Sequence, residues 1–287
     1  MRNTLKYPNL VLNCGWMLAA GVLLAGGARA DIRYSQETRM NEEQSAAAPT
    51  SVMVRSATAE AERTDVRSTY GKMEVNQSTI RLCAKNQEIQ FDPDLKIYII
   101  KPLNEAAKPA AAKPEARSKK EKKTGKIVTN YIVKDLGEEM IAQYKTRHYM
   151  VTTELIFSGC VGENTMESKV EIWVSEIQDV NPCTPTADPA AGYALMAQGD
   201  CKLSFEQKGD VAAYTKAYSG IVLRQKVYMD DKVLMTQQIT SLSQAKLSED
   251  LFKVPAGYKQ VTPEQFQIEQ SAALMKAMMT GEAPIGN

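Results

Sequence analysis

Apolar and polar residues alternate in short runs along most of this chain, the period-2 pattern of antiparallel strands with one face buried. Residues 32–40 alternate, residues 51–59 alternate again, and residues 62–70 read as a charged strand that stops at Gly71. The clearest hairpin follows. Glu88-Ile89-Gln90-Phe91 enters a turn at Asp92-Pro93-Asp94, and Ile97-Tyr98-Ile99-Ile100 leaves it. Proline presets φ and aspartate caps the turn through its side chain. Strands resume at 127–134 and 144–157. They reach their most regular alternation at Val170-Glu171-Ile172-Trp173-Val174-Ser175, which puts Val170, Ile172 and Val174 on one face and Trp173 on the other. Residues 221–229 and 233–242 form a second hairpin about Asp230-Asp231.

Two stretches break this rhythm. Residues 104–126 are alanine, lysine, proline and glutamate with almost no large apolar side chain, so they cannot bury a core and read as a flexible, solvated insertion. Its block of Lys119, Lys120, Lys122 and Lys123 is either a solubilising run or an attraction to anionic headgroups. From 181 to 219, Pro182, Pro185 and Pro189 mark an irregular loop, and residues 190–198 and 209–218 have helix-compatible spacing. Thr262-Pro263-Glu264-Gln265 opens a last helix, with Thr262 as cap, Pro263 in the first turn and Gln265 reaching back. Met275, Met278 and Met279 give that helix an adaptable apolar face, or less simply a soft-metal site.

The first 30 residues change the compartment. Arg2 and Lys6 precede an apolar stretch at 15–27, and Ala28-Arg29-Ala30 supplies small residues around a cleavage point, the layout of a secretory signal. The rival reading is a membrane anchor, because residues 10–28 approach the roughly 20 apolar residues a span needs. Removing Arg2, Lys6 and Arg29 from a net +1 leaves −2, and no global field favours nucleic acid. Four cysteines then remain, Cys83, Cys160, Cys183 and Cys201, an even number that in an exported chain favours two disulfides over four free thiols. Cys183 with Cys201, closing a short proline-rich loop, leaves Cys83 for Cys160. No spacing among them suits a metal, and His148 is the one histidine.

Leu247-Ser248-Glu249-Asp250-Leu251-Phe252-Lys253-Val254-Pro255-Ala256-Gly257-Tyr258-Lys259 reads as a strand end, a turn and an aromatic plug. Phe252 sits between Leu251 and Val254, Pro255 stops the ladder, and Gly257 gives Tyr258 a tight path. Burying such a phenylalanine contributes about 1.5 to 3 kcal/mol. Together with Lys134-Asp135-Leu136-Gly137-Glu138, Ile141, Tyr144 and the Glu171-Ile172-Trp173-Val174 strand, this closure resembles an uncharacterised family of exported bacterial proteins. That family is similar to the LolA/LolB-like periplasmic lipoprotein carriers. The resemblance spans residues 31–262 and implies an α+β, mainly β fold: a strongly curved antiparallel sheet, an unclosed barrel, with helices on its concave side and residues 263–287 as helix and tail. It also implies an apolar cavity between sheet and helices, to which Val170, Ile172, Trp173 and Val174 would contribute, and it brings no catalytic residue.

Catalytic chemistry is thin. The sequence holds no Gly-x-Ser-x-Gly elbow, phosphate-cradling glycine loop, His-Glu-x-x-His or Cys-x-x-Cys. Adjacent acids such as Glu138-Glu139 or Asp230-Asp231 point to opposite strand faces and suit a shared proton poorly. The expectation is therefore a non-enzymatic protein of the periplasm or extracellular space, without cofactor or metal, that takes an acyl chain, lipid or lipidated peptide. The alternative is an envelope structural or interaction protein with a filled core that docks an envelope partner.

Overall fold

The alternating segments do pair, and they pair into one sheet. The computed structural model describes residues 30–40, 50–71, 73–103, 123–180, 183 and 201–280. Residues 1–29 of the signal expected at 1–30, most of the lysine-rich insertion (104–122) and the helix expected at 190–198 lie outside the described residues. Strands β1 (Ile32–Met40), β2 (Thr50–Ala57), β3 (Ala61–Tyr70), β4 (Met73–Leu82), β5 (Gln87–Asp92) and β6 (Ile97–Pro102) form a meander. Long strands β7 (Thr124–Ile141) and β8 (Tyr144–Gly159) lead to β9 (Asn164–Ser175), β10 (Lys202–Gly209), β11 (Val222–Met229), β12 (Lys232–Ser243) and β13 (Lys259–Gln260). Their order in space is β10-β7-β8-β9-β11-β12-β1-β2-β3-β4-β5-β6-β13, a 13-stranded sheet whose two edges do not meet. Only the edge strands β10 and β13 add in parallel; every other neighbour is antiparallel.

Local chemistry explains the turns. Asp92 Oδ1 accepts from the backbone N–H groups of Asp94 and Leu95 at 3.0 Å each, closing the β5–β6 turn. Asp230 and Asp231 both take positive φ (49° and 59°), as a two-residue hairpin turn requires. The stretch 134–138 lies inside β7, where the register shifts between Asp135 and Gly137 and Gly137 adopts φ 104°. β4 and β10 carry weak alternation, MEVNQSTIRL and KLSFEQKG, and hydrogen bonding to stronger neighbours makes them strands.

The sheet bends. β8 and β12 are three strand spacings apart, about 14 Å on a flat sheet, yet the Tyr144 hydroxyl donates to the Leu242 carbonyl at 3.0 Å. A core cluster accordingly joins distant strands: Ile32, Ala57, Ile141, Trp173, Leu223 and Ile239. After β9 the chain crosses this bend as a strap, with Val180 buried in the same cluster and Ile177 accepting a backbone bond from Ile221. The Arg55 guanidinium holds the strap by donating to Asp179 and to the Val180 carbonyl, both at 2.6 Å.

The strap ends in a disulfide, Cys83–Cys183, and the second is Cys160–Cys201. Two disulfides form, but not in the pairing the loop length suggests. Spatial order decides: parallel β10 starts beside β7, where β8 ends, so Cys201 meets Cys160. Gly125 lies beneath this bridge, and a Cβ there would stand 3.0 Å from the Cys160 sulfur.

Two helices occur among the described residues, near opposite edges of the sheet rather than together. Helix α1 (Val211–Ala217) packs Ala217 and Tyr214 on Tyr149, Val151, Ile172 and Val174. Helix α2 (Pro263–Thr280) packs Phe266 on Ile97 and Ile99 of β6. Thr262 Oγ1 accepts from the Gln265 N–H at 3.2 Å as the expected cap. The Gln265 side chain, however, runs forward to Glu269 at 2.8 Å, since the i,i+4 partner on the exposed face is nearer than the cap. No helix among the described residues is long and apolar enough to cross a membrane.

Candidate functional site: two grooves on opposite faces of the β3–β6 sheet

The residues expected to line a cavity are packed instead. Ile172 and Val174 lie under α1, and Trp173, 3 % exposed, fills the core of the bend. Its indole N–H donates to Glu139 at 2.6 Å, and its ring stacks on His148 at 4.2 Å with 12° between planes. His148 Nε2 meets Glu171 at 2.9 Å, and Glu171 accepts from the Tyr228 hydroxyl at 2.6 Å. Burial and the carboxylate beside it push the Tyr228 hydroxyl up to about 12. These groups satisfy one another, and Arg224 and Lys226 cover the indole face at 5.4 and 5.3 Å. Val170 is half-buried in the same sheet. Side chains, rather than a hollow, occupy this part of the fold.

Phe252 lies at the other half of the sheet. Leu247 is anchored by its N–H to Asp31 at 2.8 Å, and Ser248 caps a 3-10 turn at Glu249–Phe252 where the sequence suggested a strand end. The turn drops Phe252 onto Ala61, Ile80, Ile89 and Phe91. Tyr258 meets the Phe91 ring edge-on at 5.6 Å. In β5, Ile89 and Phe91 face this plug, whereas Asp92 faces α2 and accepts from Gln270 at 3.1 Å. Plug and C-terminal helix therefore take opposite faces of one sheet.

Each face leaves a groove. Between β4 and α2, Met73, Val75, Leu95, Ala273, Leu274 and Ala277 line about 260 Å³ of open space. Asp94 marks its rim; burial raises this carboxyl above its ordinary value, against a hydrogen bond from Asn76. On the plug face, Val52, Val54, Arg63, Asp65, Arg67 and Tyr258 line about 300 Å³. A third cleft, beside α1, is lined by Glu138, Lys145, Arg147, Glu176 and Lys216. Its main charges are already matched: Arg147 reaches Asp135 at 2.6 Å and Lys145 reaches Glu138 at 2.8 Å.

The sequence does not disclose the α2 groove, because its floor is β4, a strand of mixed composition. The one legible signal is the small-residue run Ser271-Ala272-Ala273 in α2, which lets a helix approach a sheet without filling the space beside it. The methionines lie elsewhere: Met275 and Met279 are 66 % and 87 % exposed, because α2 packs through Phe266 and Ala277. Among the described residues, no group of three or more histidine, cysteine or carboxylate side chains is placed to hold a metal ion. No protein-family model matches this chain, and neither does any curated protein. The class of protein rests on the fold: a mainly β chain built on one unclosed sheet and crosslinked by two disulfides, which accord with an oxidising compartment outside the cytoplasm.

Proposed function

We propose that this protein is an exported binding protein of the cell envelope that carries an apolar ligand, an acyl chain, lipid or lipidated peptide, between its sheet and its C-terminal helix. The observation that carries the reading is the groove between β4 and α2, where Met73, Val75 and Leu95 face Ala273, Leu274 and Ala277 and polar groups such as Asn76, Asp94 and Gln270 complete the lining. Its volume of about 260 Å³ falls just below the roughly 300 to 1,000 Å³ of ordinary small-molecule pockets. A single chain or one side-chain-sized anchor suits it better than a whole lipid. The two disulfides accord with such a compartment, and the first 30 residues have the layout of a secretory signal.

Lipid extraction and mass spectrometry of gently purified protein test the proposal, alongside uptake of a fluorescent fatty alcohol. Ala273→Trp, which fills the groove from the helix side, should abolish uptake while the unfolding temperature stays within a few degrees. Wild-type protein that carries no lipid and takes up no alcohol would refute the carrier.

A second reading, an interaction protein of the envelope, is favoured by the exposed Ile268, Met275, Met278 and Met279 on the outer side of α2. Under that reading, Met275→Glu with Met279→Glu abolishes partner capture in envelope extracts and leaves alcohol uptake unchanged.

A further inference from the structure

The groove on the plug face differs from the α2 groove in one chemical respect: it holds an arginine that no acid pairs with among the described residues. Arg63 and Asp65 neutralise one another, with nitrogen–oxygen distances of 2.9 and 3.0 Å. Asp65 also accepts from Ser78 at 2.6 Å, while Arg63 donates to the Leu251 carbonyl at 3.1 Å and lies over the Phe91 ring at 5.3 Å. Arg67, two residues along β3 on the same face, is exposed, and among the described residues no carboxylate or carbonyl pairs with it. Its cross-strand neighbours are Val52 on β2 and Asn76 on β4. Asn76 directs its amide to Asp94 at 3.2 Å, and Glu37, across from Val52, is held by Arg39 at 3.1 Å. Asp94 and Glu74 hydrogen-bond to the neutral Asn76 amide and Glu37 pairs with Arg39, so none of these acids forms an ion pair with Arg67.

Beside Arg67 the floor turns apolar. Val52 and Val54 are half-buried, Phe91 is buried, and Tyr258 closes the end. A guanidinium at one end of an apolar trough matches a molecule with an acid group at one end of an apolar chain. We propose that this face binds an anionic amphiphile, with its carboxylate or phosphate on Arg67 and its chain along Val52, Val54 and Tyr258. The site lies on the opposite face of the sheet from the α2 groove, with which it shares only Asn76 and Gln77 of β4, and does not depend on it.

Isothermal titration of the exported, disulfide-bonded protein tests this with sodium decanoate, decyl phosphate, decanol and inorganic phosphate, all below micelle concentrations. In Ala273→Trp, where the α2 groove no longer takes alcohols, decanoate and decyl phosphate should bind at least tenfold tighter than decanol, and the advantage should shrink as salt rises. Arg67→Ala should bring decanoate down to the decanol level, and Arg67→Lys should restore part of the loss. Because Arg67 is exposed, unfolding temperatures should be unchanged in both variants. Ala273→Trp should leave decanoate binding intact, although it blocks the α2 groove. Equal binding of decanoate and decanol in Ala273→Trp, or an Arg67→Ala variant with undiminished decanoate affinity, would overturn the proposal while leaving the carrier reading standing. Inorganic phosphate binding as tightly as decyl phosphate would overturn it too, as a simple anion site. Loss of decanoate binding in Ala273→Trp would place the amphiphile under α2 and overturn it likewise.

Discussion

Arg55 is the residue on which most of the bend converges. Its guanidinium is buried, donates to Glu62, Asp179 and the Val180 carbonyl at 2.6 Å each, and lies over the Tyr34 ring. Burial works against its charge, but the hydrogen bonds and the charges of its partners outweigh that and hold its pKa above the usual value. Arg55→Ala leaves the buried Glu62 carboxylate with only Arg81, at 3.8 Å, and frees the strap. The expected cost is about 3 to 5 kcal/mol, the range for breaking a buried pair on one side. Arg55→Met with Glu62→Leu should recover part of it in urea unfolding, since no buried carboxylate is then stranded, while the half-exposed Asp179 and the Val180 carbonyl still lose their donor. Glu88 continues the same row of charges, with Arg81 at 2.9 Å and Lys101 at 3.1 Å. Burial opposes its ionisation, yet these two cations hold its carboxyl below the ordinary 4.5. Its contribution is thus complete above that pH and is lost as pH falls through the lowered folded value. In Glu88→Gln, the urea midpoint should depend less on pH below 4.5 than in the wild type; equal acid limbs would count against the row.

At the scale of elements, the plug segment shows how an irregular piece can be as fixed as a strand. The Ser248 cap, the Leu247–Asp31 bond and the 3-10 turn aim Phe252 at a face that β3, β4 and β5 would otherwise expose. Phe252→Ala should cost about 3 to 5 kcal/mol, the transfer loss plus a cavity the stiff sheet cannot close. Denaturant melts would detect this readily, and a loss under 1 kcal/mol would mean that the plug is ornamental to the sheet. How much of this was legible varied with local chemistry. The β5–β6 and β11–β12 hairpins were plain because their turns are encoded by adjacent residues, Asp92-Pro93 and Asp230-Asp231. β4 and β10 were not, because neither has an apolar face of its own and each is a strand only by virtue of its partners. The packed state of Ile172, Trp173 and Val174 was equally hidden. Alternation says that a side chain leaves the solvent, but not whether another side chain or a ligand meets it.

At the scale of the whole molecule, the two disulfides tie sequence-distant pieces across one bent sheet. Cys83–Cys183 spans 100 residues and fixes the strap; Cys160–Cys201 spans 41 and fixes edge strand β10. Constraining the unfolded chain should make the longer loop the stronger tie, with about 4.7 kcal/mol expected for a 100-residue closure before strain. Cys83→Ser with Cys183→Ser should therefore lower stability more than Cys160→Ser with Cys201→Ser, and non-reducing peptide maps should recover the two pairs as described. The sequence by itself determined a mainly β chain, its principal turns and the cap of α2, since each depends on residues within a few positions of one another. Tertiary structure alone decided the strand order, the partner of each cysteine, the burial of Trp173 and the two grooves. Those depend on which strands lie side by side, and a sheet of this size brings together residues that no local pattern can pair in advance.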